Sequence, residues 1–177
     1  LLTALNGEAL KSPKLEIVNA DAFGWLERQS RVFDVIVIDF PDPSNFSLGK
    51  LYSTTFYRML TRRLAPDATF VVQATSPLFA RRAYWCIVST VEQAGLSAVP
   101  YHVYVPSFGE WGFVLAGRST PARSTTLPAD LRFLTPETLP ELYTFAGDMA
   151  RVPVEPNRLT TQMLVRYYEQ EWSAINR

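Results

Sequence analysis

The stretch that decides the fold is Asp34-Val35-Ile36-Val37-Ile38-Asp39-Phe40-Pro41-Asp42-Pro43. Its unbroken run of β-branched residues suits a strand covered on both faces, as in parallel sheets. The run ends at an acidic residue and a Pro-stiffened loop, and a helix opens beyond it near Leu51-Tyr52-Ser53. In open α/β sheets, ligands bind outside the carboxyl ends of the strands. Asp39 stands at such an end, and Asp42 lies three residues on. Two carboxylates there can hold and deprotonate a cationic amine. The same residues also suit a plainer reading, in which Asp39 caps a loop and Asp42 starts the turn before Pro43.

Upstream, Leu15-Glu16-Ile17-Val18 alternates like a strand, and Asp21 can cap a short helix through Phe23, Trp25 and Leu26. Residues 2–10 read as a helix that ends before Ser12-Pro13. Downstream, Ser53 or Thr54 caps a helix with Phe56, Leu60 and Leu64 on one face, stopped before Pro66. Thr69-Phe70-Val71-Val72-Gln73 is the next strand. Ser76-Pro77 reads as an N-cap followed by proline in the first helical position. The helix it opens carries Tyr84, Ile87, Val88 and Val91 on one side and stops at Gly95. Strands over 97–104 and 111–116 form a terminal antiparallel pair. This alternation predicts an α/β domain with a largely parallel sheet over residues 1–120. A polar linker is expected at 121–134. A helical extension should fill 135–177, with segments near 136–149 and 159–174. Met163, Leu164, Tyr167, Tyr168 and Trp172 make an apolar stripe, which reads as packing.

The bulk numbers exclude several classes. A length of 177 residues suits one domain, and a hydrophobic content of 47% suits a real core. Lys+Arg 17 balances Asp+Glu 17, so nothing argues for nucleic acid or an anionic membrane as partner. The single cysteine, Cys86, rules out an internal disulfide framework and fits a reducing compartment. Its place in a helical pattern marks a buried structural thiol. His102 is the only histidine, so no zinc site is expected. No Gly-x-Ser-x-Gly elbow is present to support a serine nucleophile. No apolar run is long enough to span a membrane, and no signal peptide is visible. Leu1-Leu2-Thr3-Ala4-Leu5 reads as the middle of a helix without an initiator Met, as in a piece of a longer protein.

Three further features bear on a site, each with two readings. Gln73, with Ser76 close behind, ends the strand after Asp39's; it points into the same crevice or satisfies loop backbone groups. Asp21 accepts from an adenine amino group or caps its helix. Pro106-Ser107-Phe108-Gly109-Glu110-Trp111-Gly112 walls a pocket or is a hairpin turn with packed aromatics.

Together these residues resemble the spermidine synthases, the polyamine aminopropyltransferases. The resemblance rests on Asp21-Ala22-Phe23, Phe33-Asp34-Val35-Ile36, Asp39-x-x-Asp42-Pro43, Leu51-Tyr52 with Phe56-Tyr57, and Val72-Gln73 with Ser76-Pro77, and it covers about residues 1–117. It implies a Rossmann-like, methyltransferase-type fold and aminopropyl transfer from decarboxylated S-adenosylmethionine, a co-substrate rather than a bound cofactor, to a diamine such as putrescine. By matching position, Asp39 is the implied base, while Asp42 and Gln73 bind the diamine. Asp21, Ala22 and Pro43 are the implied contacts of the sulfonium donor. The family's substrate tyrosine has no clean match, because the turn here carries an extra residue; Tyr104 and Phe108 are the candidates. Phe40-Pro41 departs from the small hydroxyl residues common there. The loop is also similar to that of bacterial homologues whose longer chains begin with membrane-spanning segments. This implies a cytoplasmic domain whose parent carries an N-terminal membrane region at the inner membrane, and a homo-oligomer.

One departure is large. Nothing matches the family's glycine-rich cofactor loop or the acidic residue that ends its second strand. In the order 3-2-1-4-5-7-6, strand 15–18 is number three and strand 34–39 number four, so the first two strands are missing and the sheet is expected to have exposed edges. The fragment is therefore expected to be inactive alone. Two other readings compete: a related S-adenosylmethionine methyltransferase, and a non-catalytic interaction module. The segment from Pro43 to Lys50 is expected to act as a lid, with Gly49 supplying mobility.

Overall fold

The computed structural model describes residues 6–122 and 126–175. Its elements, in chain order, are α1 (Ala22–Arg28), β1 (Phe33–Ile38), α2 (Phe46–Gly49), α3 (Thr54–Thr61), β2 (Leu64–Gln73), α4 (Arg81–Gln93), β3 (Ser97–Val105), β4 (Gly109–Gly117) and α5 (Met163–Ile175). The strands form one sheet in the order β1-β2-β4-β3. β1 and β2 pair in parallel, whereas β4 is antiparallel to both β2 and β3. Three strands thus run one way and β4 alone runs against them. The sheet is mixed, with one parallel pairing, rather than a continuous parallel ladder.

One face of the sheet carries the core. Ile38, Phe70, Val72, Val114 and Ala116 are buried there. They meet the apolar faces of α3 (Phe56, Tyr57, Leu60) and α4 (Tyr84, Ile87, Val88, Val91). Ser53 starts α3 by accepting from the Phe56 amide at 3.2 Å. Gly95, at φ +89°, ends α4 in the left-handed conformation that only glycine adopts without strain. Cys86 lies buried in α4, and burial pushes its thiol up to about 12.

Several expectations need correction. β1 is not covered on both faces: Val35 and Val37 are 67% and 72% exposed, because the second face of the sheet lacks a helical layer here and β1 is an edge. Leu15–Val18 forms no strand and is exposed. Its alternation has no neighbouring strand among the described residues to satisfy a ladder. α4 begins at Arg81, not at Ser76-Pro77; the Ser76 hydroxyl instead accepts from the Phe79 amide at 3.2 Å and holds a turn. The segment 136–149 carries only a 3-10 turn at Pro140–Tyr143. Thr135 and Thr138 cap each other's amides at 2.9 and 3.2 Å in the competing way typical of such residues. At the N-terminus, residues 1–5 lie outside the described residues, and the rest of the expected helix is a 3-10 turn at Ala9–Lys11.

The C-terminal tail is packed onto the domain. The Trp85 indole donates to Met149 O at 2.9 Å, and the Arg81 guanidinium to Ala150 O at 2.6 Å. Leu164, Val165 and Tyr167 of α5 are buried, and the Arg82 guanidinium lies 4.1 Å over the Tyr167 ring. Glu171 accepts from the Arg82 and Ala83 amides at 2.7 and 3.1 Å. It thereby caps α4, whose own N-cap residue, Ala80, has no side-chain acceptor.

Candidate active site

Asp39, Asp42 and Gln73 are placed by where β1 and β2 stop, while Phe108 and Trp111 come from the β3–β4 turn and β4. β1 ends at Ile38, and the chain then runs without regular structure from Asp39 to Ser44. Phe40 fixes the start of that run by packing edge-on against Tyr52 and Phe56, with ring centroids 6.1 and 5.7 Å apart. The Tyr52 hydroxyl lies 3.2 Å from Phe40 O, 3.1 Å from Pro41 O and 3.2 Å from Gln73 Oε1, and shares its proton among them. Burial, and then the charges of Asp42 and Asp39, hold the Tyr52 phenol well above its ordinary value, so it stays a donor.

Gln73 closes β2 and is buried. Its Nε2 donates to Asp42 Oδ1 at 3.0 Å. The Thr75 hydroxyl donates to Asp42 Oδ2 at 3.1 Å, and the Tyr168 hydroxyl to the same oxygen at 3.0 Å. Asp42 is thus anchored by three neutral donors from β2, the turn after it and α5. Thr75 makes its contact from φ 60°, a left-handed conformation costly for a β-branched residue. Two backbone bonds to Gly112 hold that turn: Gly112 N donates to Thr75 O at 2.7 Å, and Ala74 N to Gly112 O at 2.9 Å. Only glycine fits there, since a Cβ at 112 would sit 2.8 Å from Thr75 O and closer still to the Tyr84 ring.

Asp39 differs from Asp42. It is exposed and accepts no hydrogen bond among the described residues. It borders three cavities. One of about 530 Å³ is lined by Phe40, Pro41, Asp42, Gln73, Phe108 and Trp111 as well. A second, about 340 Å³, runs over the open sheet face past Val37, Val71 and Phe113. A third, about 400 Å³, lies toward Ala22, Trp25 and Phe56. A free carboxylate, an anchored carboxylate and a primary amide beside aromatic walls suit a cationic amine on an alkyl chain.

The structure brings Asp39, Asp42, Gln73 and Phe108 to one cleft, and places Ala22 beside the cavity on the other side of Asp39. Pro43 is buried beneath the loop. Asp21 caps α1 by accepting from the Gly24 amide at 2.9 Å and also takes Lys50 Nζ at 3.1 Å. The Gly24 amide first, and then Lys50, hold its carboxyl below the usual range. Tyr104 is not in the cleft: with His102, Glu110 and Phe133 it lines a separate cavity of about 310 Å³. Strand alternation is the reason, since Tyr101 and Val105 of β3 face the cleft side and Tyr104 points away. Among the described residues, no group of three or more His, Cys, Asp or Glu is placed to hold a metal ion.

The expected lid is tethered. Asn45 caps α2 by accepting from Leu48 N at 3.0 Å, and Gly49 is buried in helical conformation. Its missing side chain serves close packing, not mobility: a Cβ would lie 2.6 Å from Val165 Cγ2. Sequence reasoning missed Thr75 and Tyr168 and quoted Tyr52 without a role. Thr75 stands between two residues already singled out, but nothing local tied Tyr168 to Asp42.

Fold and cleft define an α/β protein of the Rossmann-like class whose ligand site lies at the carboxyl ends of adjacent strands. The chain belongs to the spermine/spermidine synthase family, whose spermine/spermidine synthase domain matches residues 1–126. It is 54% identical over 99% of its length to a polyamine aminopropyltransferase of Leptospira interrogans, and 52% identical over 99% to polyamine aminopropyltransferase 2 of Ralstonia nicotianae. The chain spans 35% of the length of each. Among solved structures, a spermidine synthase in complex with the transition state analogue AdoDATO superposes with a TM-score of 0.67 at 19% identity, over 82% of this chain and 52% of that one. The spermidine synthase of Thermotoga maritima gives 0.66 at 17%, over 82% and 51%. No helix among the described residues is long and apolar enough to cross a membrane.

Proposed function

We propose that this chain supplies the amine side of a polyamine aminopropyltransferase, which moves the aminopropyl group of decarboxylated S-adenosylmethionine to a diamine such as putrescine. The observation that carries this reading is the pairing of an anchored Asp42 with a free Asp39 across one cleft. An alkyl ammonium has a pKa near that of lysine, about 10.4, and is not nucleophilic at neutral pH. Asp42 and Gln73 hold one end of the diamine, and Phe108 covers its methylenes. Asp39 takes the proton of the attacking nitrogen. That nitrogen bonds to the methylene beside the sulfonium, the carbon–sulfur bond breaks, and its electron pair leaves a neutral thioether. In-line positioning supplies much of the rate.

Asp21, Ala22 and Pro43 serve the donor. The adenine amino group competes with Lys50 for Asp21 Oδ1, since Oδ2 already takes the Gly24 amide. Residues 1–120 form the catalytic part and 121–134 a linker, while 135–177 braces the cleft. The parent protein is a homo-oligomer with its catalytic part in the cytoplasm and an N-terminal region at the inner membrane. The resemblance to the family and its long bacterial homologues supports this; a chain spanning 35% of its relatives supports only a longer parent. In the complete protein, Asp39→Asn should leave folding unchanged and cut turnover with diamine by about 10²–10⁴. Near-wild-type turnover would remove Asp39 from the reaction.

A further inference from the structure

We propose that Tyr168 is a positioning residue for the amine-binding carboxylate, and that α5 is a strap holding Asp42 at the cleft. The inference takes its substrate from the aminopropyltransferase reading. Asp42 lies in a stretch without regular structure, so its side chain is placed only by its donors. Two of these come from the end of β2, and the third is the Tyr168 hydroxyl, 126 residues away in sequence.

α5 is tied to the same stretch a second time. Asn157, fully buried just before it, donates from Nδ2 to Gly49 O at 2.8 Å and Tyr52 O at 3.2 Å, while its Oδ1 accepts from Leu164 N at 3.3 Å. Gly49 packs directly under Val165 and Gln162. The Tyr168 ring is seated against Trp172, which reaches Phe79, with centroid separations of 5.8 and 6.2 Å. The segment from Asp42 to Tyr52 is therefore clamped at both ends by one C-terminal element.

The clamp has a chemical consequence. A carboxylate offers about two acceptor sites on each oxygen. Thr75 and Tyr168 fill those of Oδ2, whereas Gln73 takes only one on Oδ1. The open site for an ammonium is on Oδ1, and Tyr168 sets which way that oxygen faces. Burial and the Asp42 charge raise the Tyr168 phenol, so it remains a donor throughout the neutral range. The family domain matches residues 1–126, and the bacterial relatives match 99% of the chain, so their likeness extends over α5.

The test uses the complete protein. Tyr168→Phe keeps the ring and removes one hydrogen bond to a charged group, typically worth a tenfold change or more. The amine KM should rise about tenfold, while the donor KM and kcat at saturating amine stay within about twofold. In an Asp42→Asn background, the same change should add less than about twofold. Independently of catalysis, Tyr168 titrated by NMR of ring-labelled tyrosine should ionise at lower pH in Asp42→Asn than in wild type. An unchanged amine KM, an undiminished effect in the Asp42→Asn background, or an unmoved phenol would each overturn the proposal. Absence of aminopropyl transfer in the wild type would instead overturn the functional reading, and the phenol titration would still decide whether Tyr168 acts on Asp42.

Discussion

At the scale of the residue, the cleft divides labour between two carboxylates of the same chemistry. Asp39 has no partner among the described residues and faces open space, whereas Asp42 is held by three donors. A group that must change protonation is better left free, and one that must bind a cation in a fixed place is better braced. Removing the braced group should therefore damage binding before chemistry. Asp42→Ala in the complete protein should raise the amine KM by at least about tenfold, the usual scale for a lost charge-assisted contact, and lower kcat at saturation far less. Equal losses in both would place Asp42 in the chemical step. Thr75 belongs to the same economy: its strained backbone is tolerated where its hydroxyl reaches Asp42.

At the scale of the element, α2 and α5 explain each other. α2 has only four residues, too short to be stable alone, and its end is buried against the C-terminal helix. Gly49→Ala would bring a methyl to 2.6 Å from Val165 Cγ2, a branched side chain that cannot swing away freely. The expected cost is about 1–3 kcal/mol, the range for overpacking, read as a lower melting temperature. A variant as stable as wild type would mean that this junction has slack. α4 shows the same dependence: its first turn is capped by Glu171 from a helix far along the chain.

At the scale of the whole molecule, the sheet is covered on one face and open on the other, and β1 is an edge strand. Leu15, Ile17 and Val18 lie exposed upstream of it. An apolar edge of this kind recruits another strand. The 177-residue chain expressed by itself should associate, so that light scattering gives more than the monomer mass, and Val35→Lys should shift it toward monomer. A monodisperse wild-type monomer would show that the open face tolerates water as it stands.

Much of this architecture was legible in the linear chain. The run Val35–Ile38 ending in Asp39, the caps at Asp21 and Ser53, the glycine at 95 and the apolar faces of α3 and α4 are local signals, because period and capping chemistry act within a few residues. The strand order around β1 and β2 followed from the resemblance and matches the sheet. The limits were equally physical. A β-branched run states that a strand is apolar, not which of its faces is covered, so the exposure of Val35 and Val37 was not visible. Alternation at Leu15–Val18 signals a strand only if a neighbour supplies the ladder. The stripe from Met163 to Trp172 encoded a packing face, and Leu164 and Tyr167 use it so. That Tyr168 turns its hydroxyl to Asp42, that Glu171 caps α4 and that Gly49 is a contact rather than a hinge were decided only in three dimensions. Such contacts join residues more than a hundred positions apart in two of the three cases, and no periodicity reports which distant element a surface will meet.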